Sequence, residues 1–81
     1  MMTVGEACKS RILELCRNRG ITLNKLSIIC GITQSTLNNL ISGRNKSLTV
    51  STVKKICDGL EINIGDFFNA DIFQNLEQEL K

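Results

Sequence analysis

The chain has 81 residues and a formal net charge of +2, with four Cys, three Phe and no Pro, Trp, Tyr or His. That length holds one domain with a core small enough to be marginal in stability. The missing His removes the commonest acid–base group and the commonest metal ligand, which counts against an enzyme. No apolar run approaches the roughly eighteen residues of a membrane span, and the opening residues lack the basic-then-apolar layout of a secretory leader, so a cytoplasmic location is expected.

Thr3-Val4-Gly5-Glu6 reads as a capping box, with a Thr oxygen for an orphan N–H and Glu three residues on. Apolar residues then recur at Cys8, Ile12, Leu15 and Cys16 with helical spacing, and Gly20 stops this first helix. Thr22 caps a second helix of about two turns, with apolar positions at Leu23, Leu26, Ile29 and Cys30 and ended by Gly31. Thr33 caps a third, with Leu37, Leu40 and Ile41 inward and Gly43 closing it. Arg44 to Leu48 is polar and basic, hence a loop. Thr49 caps a fourth helix with Val50, Val53, Ile56, Cys57 and Leu60 inside, and Asn63 a short fifth ending near Phe67 and Phe68. Asp71 and Gln74 begin a last amphipathic helix with Ile72, Phe73, Leu76 and Leu80 on one face. No strand pattern or repeat interrupts this all-α reading.

The charge is unevenly placed. Through residue 55 nine bases (Lys9, Arg11, Arg17, Arg19, Lys25, Arg44, Lys46, Lys54, Lys55) face two acids, a net +7; from residue 56 one base faces six acids, a net −5. A basic front and an acidic back suit a polyanion on one side, although ordinary solvated helix faces give the same count. Cys8, Cys16, Cys30 and Cys57 include no C-x-x-C pair and each falls on an apolar helix side. Reduced thiols used as small core residues are the expected state, with a metal site or disulfides the alternatives. No cofactor is implied.

The informative stretch is Thr22 to Gly43. Two short helices share a turn centred on Gly31 and Ile32; Gly31 can take positive φ, Ile32 can plug the space between them, and Ser27 is small where they cross. This is helix-turn-helix geometry. On the outer face of the third helix stand Gln34, Ser35, Asn38, Asn39 and Ser42, all polar and uncharged. A merely solvated face more often carries Glu and Lys, the stronger helix formers. Amides and hydroxyls are what reading base edges needs. Arg44, Asn45 and Lys46 follow directly, placed to grip phosphate. A capping-rich, weakly helical surface is the plainer explanation of the amides.

From about Ile12 to Phe68 the sequence resembles the lambda-repressor/Cro-like (XRE-like) helix-turn-helix family. The likeness rests on Gly20-Ile21-Thr22, Leu26-Ser27, Gly31-Ile32-Thr33, Leu37, Leu40, Gly43, and Leu60-Glu61-Ile62-Asn63 leading into Asp66-Phe67. It implies a compact five-helix bundle that binds double-stranded operator DNA, usually as a symmetric dimer on a palindrome, in a bacterial or phage-type, nucleoid-associated regulator, most simply a repressor. By position it implies base contacts from Gln34, Ser35 and Asn39, with Asn38 beside them, and backbone contacts from Asn45 and Lys46. Thr22, Lys25 and Arg44 complete the expected phosphate set. The sequence departs from the family where Leu23 replaces a frequent phosphate-binding Gln and where Leu48 replaces a frequent Pro. It also has Cys16 and Ile41 at positions that often hold an Arg–Glu pair, and replacing both partners avoids a stranded charge, so the two are expected to touch.

The expected organisation is thus a DNA-binding domain at 1–68, with its helix-turn-helix at 22–43, and an additional C-terminal amphipathic helix at 69–81. That extension either folds back, meets its twin in a homodimer, or docks a protein partner. In the last case the chain would be an interaction module such as an antitoxin or adaptor. No membrane partner is expected.

Overall fold

The computed structural model describes residues 2–42, 48–78 and 80. Among these residues five α-helices follow in order: α1 (Val4–Arg19), α2 (Leu23–Cys30), α3 (Gln34–Ser42), α4 (Val50–Leu60) and α5 (Ile64–Phe68), then one 3₁₀ turn at Asp71–Phe73. Among the described residues there is no strand.

The helices start where the hydroxyl and amide caps stand. Thr3, Thr22, Thr33 and Thr49 each accept from the backbone N–H three residues on, and Asn63 does so from Asp66 N. Glu6 and Asp66 return the favour to the Thr3 and Asn63 amides, closing two capping boxes. Three helices stop at a left-handed residue: Gly20 (φ 65°) after α1, Gly31 (φ 68°) after α2 and Glu61 (φ 59°) after α4. Two arginines complete the ends. Arg19 donates to the Leu60 carbonyl at the end of α4, and Arg11 donates to the carbonyls of Asp66 (2.8 Å) and Phe67 (2.7 Å) at the end of α5. Cations at helix C-termini satisfy carbonyls that have no partner within the helix.

The core is one cluster: Cys8, Ile12, Leu15 and Cys16 from α1, Leu26 from α2, Leu37 and Leu40 from α3, Val53, Ile56, Cys57 and Leu60 from α4, and Phe67 from α5. Cys16 lies inside it and Ile41 packs against it from α3. Val50 falls on the expected inward stripe but is 74% exposed, because at the first position of α4 it overhangs the end of the core.

Helices α2 and α4 approach closely at Gly59. A β-carbon placed on Gly59 would lie 2.6 Å from Cys30 Sγ, 3.0 Å from Ile29 Cγ2 and 3.1 Å from Cys30 Cα. Ser27 is buried on the same helix, its hydroxyl donating to Asn24 O at 2.7 Å. A hydroxyl satisfied within its own turn can be buried at little cost.

The C-terminal amphipathic helix does not form. Gln74 N–H closes a single 3₁₀ turn onto Asp71 O, Asn75 turns left-handed at φ 57°, and the chain then runs past the N-terminus, where Glu77 N–H donates to Met2 O at 2.9 Å. A ten-residue helix is marginal by itself, and tertiary contacts outweigh its periodicity. Phe73 joins Phe67 and Phe68 in an aromatic cluster with centroids 4.9–6.1 Å apart. Ile72 and Leu76 end half-buried, while Leu80 is 86% exposed.

All four cysteines are free thiols, three buried and Cys30 half-buried. Burial pushes each thiol up, Cys30 furthest, from 9.0 to about 11, with the neighbouring Cys16 and Cys57 adding to it.

Gly59→Ala is expected to lower the thermal midpoint. Overpacking costs about 1–3 kcal/mol, against the roughly 1 kcal/mol that Ala gains over Gly as a helix former. Adding Cys30→Ala should recover part of the loss; an unchanged or raised midpoint for Gly59→Ala contradicts the close approach. Cys30, whose folded pKa lies above its unfolded one, contributes stability that is fully present below pH 9 and is lost as pH rises toward about 11. Denaturant midpoints at about pH 8 and about pH 10.5 should therefore differ more in the parent protein than in Cys30→Ala.

Candidate nucleic-acid interface

The placement of α3 follows from two residues. Leu37 and Leu40 are buried, which turns the opposite side of the helix outward. The turn before it is fixed at both ends. Gly31 takes a left-handed conformation, the Ile32 amide donates to Ser27 O at 3.1 Å, and Ile32 packs against the core. The cap of α3 is doubled: Thr33 Oγ1 accepts from Thr36 N and donates to Thr36 Oγ1 at 2.8 Å. Caps of this kind are worth about 1 kcal/mol, which matters for a helix of nine residues.

Gln34, Ser35, Asn38 and Asn39 all emerge exposed, and with Ser42 they line one shallow concave patch. The sequence placed Ser42 on this face without counting it among the contacts; its hydroxyl donates back to Asn39 O at 3.3 Å, so its proton is engaged. Among the described residues no hydrogen bond engages the side chains of Gln34, Ser35, Asn38 or Asn39. Their donors and acceptors face solvent ready for an external partner. No Asp, Glu, Lys or Arg lies within α3.

Thr22 and Lys25 sit together at the exposed N-terminal turn of α2. Thr22 Oγ1 accepts from Lys25 N at 3.1 Å, which leaves its O–H free to donate. Asn24 is exposed between them, a polar neighbour that the sequence reading did not single out. Leu23, where a phosphate-binding Gln is frequent, packs against the core instead. Arg44, Asn45 and Lys46 lie outside the described residues.

The basic surface is narrower than the count of charges suggested. Arg11, 13% exposed, pairs with Glu14 as well as with the end of α5; Arg19 is tied to Leu60 O, and Lys54 to Asp58. Among the described residues this leaves Lys9, Arg17, Lys25 and Lys55 with neither an acidic partner nor a helix-end carbonyl. Exposed pairs such as Lys54–Asp58 add little stability, but they do lower the charge available to a polyanion. Among the described residues no three His, Cys, Asp or Glu side chains converge as a metal site would need, and no helix is long and apolar enough to cross a membrane.

Three comparisons bear on this geometry. The profile of the Cro/C1-type HTH DNA-binding domain matches residues 11–71. The chain is 35% identical over 61 residues to a Bacillus subtilis (strain 168) protein, the SPbeta prophage-derived uncharacterized HTH-type transcriptional regulator YopS, covering 75% of this chain and 82% of that one. It also superposes on the crystal structure of the prophage Lp1 protein 11 with a TM-score of 0.81 at 33% identity, covering 94% of this chain and all of the other.

Proposed function

The chain belongs to the Cro/C1-type HTH family of DNA-binding domains, and from that premise we propose that it is a sequence-specific transcriptional regulator, acting as a repressor, that reads the major groove with α3. The observation that carries this reading is the face of α3: four uncharged amide and hydroxyl side chains, exposed and without hydrogen-bond partners among the described residues, on a helix anchored by the buried Leu37 and Leu40. Its similarity to a prophage-derived HTH-type transcriptional regulator supports the regulatory role.

In this reading Gln34, Ser35, Asn38 and Asn39 meet base edges, and Thr22, Lys25, Arg44, Asn45 and Lys46 meet phosphates. Phosphate contacts set register and orientation; base contacts set specificity. An α-helix of nine residues is about 13 Å long and passes about four base pairs. That is too short a word to mark a site, so a homodimer reading two half-sites about 34 Å apart on a palindrome is part of the proposal. A repressor needs no further machinery, because occupying the site suffices. We assign DNA binding to residues 1–68 and treat 69–81 as an extension whose exposed Leu80 is available to a second copy. The site of action is the bacterial cytoplasm, on DNA.

The test is selection from a random double-stranded DNA pool at two salt concentrations, followed by sequencing. A palindromic motif that weakens as salt rises is expected; sequence-blind or absent binding at low salt would overturn the reading. On the selected site Gln34→Ala should relax one position per half-site at a cost of about 1–3 kcal/mol. Lys25→Ala should instead weaken all sequences alike and lower the salt slope by about one.

A further inference from the structure

We infer that the half-site positions read by α3 are A·T pairs, contacted through the major-groove edge of adenine. This rests on the DNA-reading proposal above and names the class of sequence that the same surface takes.

The argument is one of complementary chemistry. Guanine is read in the major groove mainly by Arg or Lys donating to O6 and N7, and cytosine by a carboxylate accepting from N4. The exposed face of α3 has neither, since the helix contains no Lys, Arg, Asp or Glu. It presents three amides, on Gln34, Asn38 and Asn39. Only an amide offers a donor and an acceptor side by side. Adenine presents the matching pair, with its N6 amino group donating and its N7 accepting, so one Gln or Asn can make both bonds. Guanine presents two acceptors on that edge, and an amide facing them would leave its own oxygen unpaired. An unpaired polar atom in a desolvated interface costs more than a lost bond gains.

The packing sharpens this. Gln34 and Asn38 are four residues apart, as are Ser35 and Asn39, so the two rows lie side by side on the outward face. The Ser42 hydroxyl is turned back onto Asn39 O, whereas the amides of Gln34, Asn38 and Asn39, in the N-terminal and middle parts of α3, make no hydrogen bond among the described residues. Gln34, with the longest reach and at the first position of the helix, and Asn39, one and a half turns further on, are the two most separated of them. Two separate adenines per half-site follow.

The experiment starts from the site obtained by selection, with Gln34→Ala and Asn39→Ala used to find which base pairs each side chain reads. Both residues are exposed, and an unchanged thermal midpoint shows that each variant is folded. At the positions so assigned, each A·T pair is replaced by inosine·cytosine. That pair keeps the minor-groove pattern of A·T but presents two acceptors in the major groove, as guanine does. Binding by the parent protein is expected to fall about 5- to 150-fold per replaced pair. The corresponding alanine variant should be nearly indifferent to the same replacement. Replacing the adenine with 7-deazaadenine, which lacks only the N7 acceptor, should lose part of that factor. Full binding to the inosine-containing site overturns the inference, because it places the recognition in the minor groove or in DNA shape. A selected motif whose Gln34- and Asn39-dependent positions are G·C overturns it while the DNA-reading proposal stands. A pool with no enriched motif sinks both together.

Discussion

Helices α2 and α4 meet across Gly59, where a β-carbon would fit only if Cys30 shifted. The rest of the molecule is arranged around that contact. It brings Leu26 and Ile56, both fully buried, into the same core. Since α3 is tied to α2 by a short turn with a left-handed glycine, the position of the outward face of α3 is inherited from the α2–α4 crossing. A recognition surface made of side chains with only two or three rotatable bonds depends on such rigidity, because a displaced helix takes its amides out of bonding range.

The second constraint is economy of charge. A small basic domain could spend its cations on a polyanion, yet this one commits three of them to itself. Arg11 and Arg19 terminate α5 and α4, and Lys54 sits against Asp58. Closing helix ends in this way stabilises a chain of 81 residues whose core is small. Lys25, which has no acidic partner among the described residues, stands at the entry of α2. In the proposed reading, electrostatic attraction and base discrimination are carried by different residues, which lets each vary without the other.

The C-terminal segment shows how tertiary contacts override local pattern. Ile72, Leu76 and Leu80 are spaced for a helix. What forms is a single turn followed by an irregular run, because Phe73 is worth more in contact with Phe67 and Phe68 than a short helix is worth in hydrogen bonds. The segment then shares a backbone hydrogen bond with Met2, so Glu77 lies beside the start of the described chain.

Sequence alone determined the five helices, their caps and the identity of the outward face of α3. These are local properties: a Thr or Asn hydrogen-bonds three residues ahead, a glycine reverses the chain, and a 3.6-residue period sorts apolar from polar. Three further matters were decided only by the tertiary structure. Which cations are already paired was one, since Arg11 reaches carbonyls 55 and 56 residues away. The fate of the tail was another, because its partners are Phe67, Phe68 and Met2 rather than its own neighbours. The last was the importance of Gly59, which in the sequence is one glycine near the end of a helix and in the fold is the point where two helices touch. Each of these joins residues distant along the chain, and no periodicity along the chain encodes such a meeting.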